Sequence, residues 1–187
     1  MKTDNSKPVS GLKALTGSLS RRETGDSDVV KNLEPVTLRH DGRRGYRLET
    51  RRPEALVIHC GDARFQTAFR QFVTEELGIA HYLPIVIGGG VHAFGLQNLL
   101  PKNFKILWQQ IKHALTVDKL NEVIIINHED CLWYEKLKGY HPTVSIRNKG
   151  VLDLRTAAER ILHDFSGVRV RTFWAAIQDN QVVFSET

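Results

Sequence analysis

With 187 residues, 41% of them hydrophobic, the chain is long enough to bury one sizeable core and short for two domains. Two cysteines far apart make no disulfide framework, and the greasiest run, residues 123–127, falls far short of the 18 or more apolar residues of a membrane-spanning helix, so a soluble protein of the reducing cytoplasm is expected. The net charge of +5 is carried by residues 1–52, which hold 12 Lys+Arg against 7 Asp+Glu, whereas residues 53–187 hold 14 of each.

Residues 1–50 read as a basic, partly disordered N-terminal arm, rich in Ser, Thr, Gly, Asp and Lys with little periodicity, in which residues 9–19 have the pattern of a short helix. Arg21-Arg22 is followed by acidic and polar residues instead of an apolar stretch, which disfavours export. Arg39, Arg43, Arg44, Arg47, Arg51 and Arg52 are chemically able to meet phosphate, but Tyr46 is the one aromatic among them and no nucleic-acid-binding motif is present. The arm is therefore read as solvated or draped over a partner subunit; neither nucleic acid nor membrane is expected as a partner.

Residues 51–187 read as one α/β domain. A first strand over 55–59 ends at Cys60, and Phe65, Phe69, Phe72, Val73 and Leu77 then recur at helical spacing up to a stop at Gly78. A second strand over 83–87 runs into Gly88-Gly89-Gly90. Next comes a helix over about 103–116, with Phe104, Leu107, Trp108, Ile111 and Leu115 on one face. The third strand, 122–127, delivers His128. After a short helical turn and an irregular stretch near 139–142, a long helix over about 149–165 is expected to turn Leu152, Ala157, Ile161 and Leu162 inward. A fourth strand over 168–177, Asp179-Asn180 and an edge strand over 182–185 complete the chain. This order predicts a mostly parallel sheet of about four strands plus an edge strand, flanked by helices on both faces. In such sheets the functional crevice lies beyond the carboxyl ends of the strands, where Cys60, the three glycines and His128 all fall.

Cys60-Gly61-Asp62-Ala63-Arg64 and His128-Glu129-Asp130-Cys131 concentrate the metal-type chemistry of the chain. Thiolate and neutral imidazole are donors that Zn²⁺ favours, and a His and a Cys three apart on a helical turn share a face. Singly, Cys60 reads as a small buried hydrophobe and His128 and Cys131 as parts of a helix start; jointly, the three read as zinc ligands that leave a fourth position open. The pattern Cys-x-Asp-x-Arg followed by His-x-x-Cys resembles the β-class carbonic anhydrases over roughly residues 55–185. Ala63, Leu132 and the Gly88-Gly89-Gly90 loop, where that family usually has other residues, mark a divergent branch.

The resemblance implies an α/β fold, a homodimer or higher homo-oligomer, zinc held by Cys60, His128 and Cys131, and reversible hydration of carbon dioxide to bicarbonate by a metal-bound hydroxide. It gives Asp62 and Arg64 the catalytic pairing, in which the guanidinium grips the carboxylate and draws it off the metal. Two rivals stand beside this reading: a related zinc hydrolase of carbon disulfide or carbonyl sulfide, and a non-catalytic zinc-stabilised interaction module. A redox thiol pair is a third. The triple glycine reads as a plain tight turn, since it lacks the Lys-Ser/Thr of a phosphate loop and the spacing of a dinucleotide fingerprint. His92 reads as an ordinary loop histidine, His59 as a core or interface histidine, and Trp133 and Tyr134 as walls of the pocket or plain packing.

Overall fold

A computed structural model describes residues 48–97, 101–138 and 145–187. Residues 1–47 of the expected arm, with its short helix over 9–19, and the irregular stretch near 139–142 lie outside the described residues. Thr50–Thr187 forms one compact unit. Among the described residues no helix is long and apolar enough to cross a membrane.

Five strands, β1 (Ala55–His59), β2 (Tyr82–Val86), β3 (Glu122–His128), β4 (Arg169–Gln178) and β5 (Gln181–Glu186), form one sheet in the order β2-β1-β3-β4-β5. The first four run parallel and β5 pairs antiparallel with β4. The β4–β5 hairpin turns on Asp179 and Asn180, both at positive φ (47° and 60°), the two-residue geometry whose twist matches that of the flanking strands.

The central strands are buried on both faces, as parallel strands covered by helices must be. Alternation sends Leu56, Ile58, Val123, Ile125 and Trp174 to one side. There they meet α3 (Pro101–Thr116) through Leu107, Ile111 and Ala114, and α5 (Ile146–Asp164) through Leu154, Ala157 and Ile161. Val57, Ile124, Ile126, Phe173 and Ala175 face the other side, against Phe65, Phe69, Phe72 and Val73. Those four belong to one helical segment that passes from a 3-10 turn (Ala63–Phe65) through α1 (Gln66–Gln71) into a π turn (Phe72–Glu76), not the uniform helix that the spacing predicts.

A second difference lies on α5. Leu152 and Leu162 are half-exposed; the inward stripe is Gly150, Asp153, Leu154, Ala157 and Ile161. Counting back from Ile161 and Ala157 by a helical turn reaches Leu154 and Gly150, so a leucine at 152 falls off the stripe. Asp153 takes an inward position because Lys149, one turn earlier, neutralises it.

Register places the site. His59 pairs with Ile126 across β1 and β3, and β3 continues for Asn127 and His128. Cys60, one residue past the end of β1, therefore stands level with Asn127, next to His128 at the end of β3.

Candidate metal centre

Cys60, His128 and Cys131 are all buried, and one donor atom from each lies within 4.8 Å of the others. The two sulfurs are 3.8 Å apart, far beyond a covalent S–S bond, and both cysteines are free. Tetrahedral coordination with Zn–S of about 2.3 Å requires a sulfur–sulfur separation of roughly 3.8 Å, so the pair is spaced as zinc would hold it.

His128 is oriented from behind. Its Nδ1 donates to the Glu129 carbonyl at 2.7 Å, which fixes the tautomer and leaves a lone pair on Nε2. That Nε2 is buried with no hydrogen-bond partner. The Phe65 ring, 4.1 Å away centroid to centroid, holds the imidazole plane. A buried orphan acceptor beside two thiols is costly unless something electrophilic satisfies it, and a metal ion does so.

The sulfurs are prepared for charge. A hydrogen bond shared with Cys131 draws the Cys60 thiol far below its ordinary range against the opposing effect of burial, with the backbone amides of Gly89 and Asp62 adding to the pull. The Gly89 N–H reaches Cys60 Sγ at 3.3 Å. Cys131 moves up, first through its bond to Cys60 and then through burial, although the amides of Trp133 and Tyr134 favour its thiolate. The shared hydrogen bond thus eases loss of the first proton of the pair and resists loss of the second.

Asp62 caps the 3-10 turn, accepting the Arg64 backbone N–H at 3.0 Å. The Arg64 side chain returns to the same carboxylate, Nε to Oδ1 at 3.1 Å and Nη2 to Oδ2 at 2.7 Å, a bidentate grip. The Arg64 guanidinium holds the Asp62 carboxyl below its ordinary value. The Asp62 carboxylate is not part of the donor cluster. Arg64 also donates to Asp130, Nη1 to Oδ2 at 2.7 Å and Nη2 to the backbone carbonyl at 2.9 Å.

Over the cluster lies a cavity of about 430 Å³, lined by Cys60, Asp62, Arg64 and Cys131 on the polar side and by Ala63 and Trp133 on the apolar side. Trp133 is 44% exposed and its indole lies so close over Gly88 that a Cβ there would fall within the ring. Gly89 and Gly90 adopt positive φ (79° and 56°). The triple glycine is therefore more than the plain turn that its sequence suggests: it delivers an amide to Cys60 and makes room for Trp133.

His92 differs from its expected place in a loop. It opens α2 (His92–Gly95) and is buried, with Nδ1 3.5 Å from Asp153 Oδ2 and its ring 4.4 Å from that of Tyr134. Asp153 also accepts from Tyr134 Oη at 2.9 Å and is paired with Lys149. Asn127 Nδ2 donates to Tyr134 Oη and to the Gly150 carbonyl, both at 3.0 Å. Tyr134 packs against both cysteines, so it forms the floor of the centre and not its wall. His59 is buried against Phe69 on the opposite face from this floor. Asn127 and Asp130 carry no signal at the sequence level beyond their proximity to His128 and Cys131, and Asp153 carries none.

No family model and no curated protein matches the chain. Among solved structures it is similar to β-carbonic anhydrase isoform I of Trichomonas vaginalis, at 11% identity and a TM-score of 0.47 over 74% of this chain and 86% of that one. It is similar too to the β-carbonic anhydrase CafA of Aspergillus fumigatus, at 15% identity and a TM-score of 0.45 over 72% of this chain and 76% of that one. A tetrameric β-carbonic anhydrase of Sordaria macrospora gives 15% identity and a TM-score of 0.42 over 73% of this chain and 83% of that one.

Proposed function

We propose that this chain is a zinc-dependent lyase of the β-carbonic anhydrase type that hydrates carbon dioxide reversibly to bicarbonate. The observation that carries the reading is the convergence of Cys60, His128 and Cys131 on one point, with the Arg64-gripped carboxylate of Asp62 beside it and outside the donor set. Cys60 Sγ, His128 Nε2 and Cys131 Sγ would hold the ion. When bound, zinc would supply Lewis acidity that lowers the pKa of water and makes it a nucleophile.

The chain's own residues do the rest. Asp62 Oδ1 is taken by the Arg64 backbone N–H and Nε, whereas Oδ2, held by Nη2, keeps a lone pair that accepts a proton-bearing O–H in the cavity and aims that oxygen's remaining lone pair at the substrate. Arg64 keeps Asp62 ionised while it does this. Ala63 and Trp133 offer an apolar wall suited to a small uncharged gas.

The same cavity also admits carbonyl sulfide or carbon disulfide, the second reading of the site. The free, buried thiols suit a reducing compartment such as the cytoplasm, and the exposed Val86 and Leu132 offer apolar surface for a homodimer or higher homo-oligomer. Metal analysis of the purified protein, paired with stopped-flow hydration of carbon dioxide and hydrolysis assays on the two sulfur compounds, tests the assignment. Turnover of a sulfur compound with none of carbon dioxide would select the second reading; a zinc-loaded protein inert toward all three would leave the non-catalytic module.

A further inference from the structure

We infer that Asp130 is a positioning residue, which locks the Asp62–Arg64 pair to the turn that carries His128 and Cys131. The inference rests on the reading of the cysteine–histidine cluster as a zinc site.

Asp62 and Arg64 belong to one short turn, and their bidentate bond fixes each to the other. With the Arg64 backbone N–H on Asp62 Oδ1, it ties the pair to its own turn, but nothing in it opposes a swing of that turn's side chains toward the three donors. Two further hydrogen bonds oppose this swing. Arg64 Nη1 donates to Asp130 Oδ2 and Nη2 donates to the Asp130 carbonyl, across 66 positions of sequence. All three guanidinium nitrogens are then engaged, two acceptors coming from each strand end, so the plane of the guanidinium has no rotation left to it.

Asp130 sits between the ligands His128 and Cys131, and its backbone is in the left-handed region at φ 56°, which Asp and Asn tolerate better than other side-chain-bearing residues. The Arg64–Asp130 ion pair is about half-exposed on both sides, 51% and 53%, so it contributes little to stability. What it supplies is a fixed distance between the carboxylate of Asp62 and the donor cluster. Deprived of it, the pair can turn and Asp62 can take the fourth position at the metal.

The test uses the full chain loaded with Co²⁺ as a spectroscopic probe, in the wild type, Asp130→Asn and Asp130→Gly, each with and without Asp62→Asn. Asn keeps the left-handed backbone and one acceptor, while Gly removes the side chain without backbone strain, so both should fold. We expect Asp130→Gly to retain about one cobalt per chain, to alter the cobalt d–d absorption as a carboxylate joins the metal, and to lose that alteration when Asp62→Asn is added. Its kcat/KM for carbon dioxide should fall roughly 10- to 100-fold, the usual effect of removing an outer partner of a metal site, with Asp130→Asn in between. A spectrum of Asp130→Gly identical to wild type, or an alteration that persists without the Asp62 carboxylate, overturns the inference. Wild-type protein that binds cobalt yet never turns over carbon dioxide would count against the proposed reaction alone, and the spectral comparison would still decide the role of Asp130.

Discussion

The sulfurs of Cys60 and Cys131 lie 3.8 Å apart although 71 positions separate the two residues in sequence. The separation is too long for a bond between them and right for a shared ion, and each sulfur has backbone amides turned toward it. Burying two thiols beside an orphan imidazole nitrogen makes physical sense when their charge is to be shared with a cation.

The protein purified without chelator should carry about one zinc per chain, and Cys60→Ser, His128→Ala and Cys131→Ser should each lose most of it. Stripping the metal should lower the unfolding temperature, because an ion that binds only the folded chain stabilises it by mass action. Atomic emission and a thermal scan with and without chelator check both points. Unchanged metal content in all three variants would remove the site.

Iodoacetamide should label neither cysteine of the loaded protein and should label Cys60 first once the metal is gone. The sign follows from the Gly89 N–H, which reaches Cys60 Sγ at 3.3 Å and favours the thiolate there, the nucleophilic form. Peptide mapping after timed labelling reads the order. Equal labelling with and without chelator would favour the redox-pair reading instead.

Arg64→Ala should keep its zinc and lose roughly 10- to 100-fold in carbon dioxide hydration, as expected for an outer partner that orients the site. Arg64→Lys should recover only part of this, since an ammonium cannot reproduce a bidentate grip on Asp62 together with two bonds to Asp130. A zinc-stabilised interaction module without catalysis would be indifferent to both substitutions. The kinetic split between them separates the two classes.

Hydration activity should rise toward alkaline pH. Two thiolates cancel the formal charge of Zn²⁺, so the ion acidifies water less than a three-imidazole site, whose water has a pKa of about 7. A rate profile measured at constant metal content decides this. A maximum below neutrality would contradict the two-thiolate donor set as the source of the nucleophile.

Gly150→Ala should destabilise the fold. Alanine is favoured over glycine in a helix by about 1 kcal/mol, but a Cβ at 150 would stand 2.5 Å from Cζ3 of the buried Trp174. Overpacking of that kind costs about 1–3 kcal/mol, so a net loss is expected. Urea unfolding monitored by circular dichroism reads it as a lower midpoint with an unchanged slope.

Hydrophobic runs placed each strand within a residue or two of its position. The second is expected over 83–87 and found at Tyr82–Val86, the fourth over 168–177 and found at Arg169–Gln178. Such offsets arise because a strand end is defined by the hydrogen bonds of its neighbours, which periodicity does not contain. Leu152 and Leu162 were expected inward and are exposed, while Asp153 is fully buried. A carboxylate reads as a surface residue until its partners are known, and here they come from three helices: Lys149, Tyr134 and the His92 ring.

Read alone, the sequence determined an α/β order of strands and helices and two clusters whose donor chemistry suits one zinc ion. It could do so because side-chain period and ligand type are local properties. The tertiary structure alone decided what surrounds those donors: the Gly89 amide on Cys60, the Glu129 carbonyl that sets the tautomer of His128, and the Asp130 bonds that immobilise Arg64. All are hydrogen bonds, whose existence depends on distances of a few ångströms and on direction. Apart from the bond between His128 and its neighbour, they join residues brought together only when the sheet sets β1 between β2 and β3.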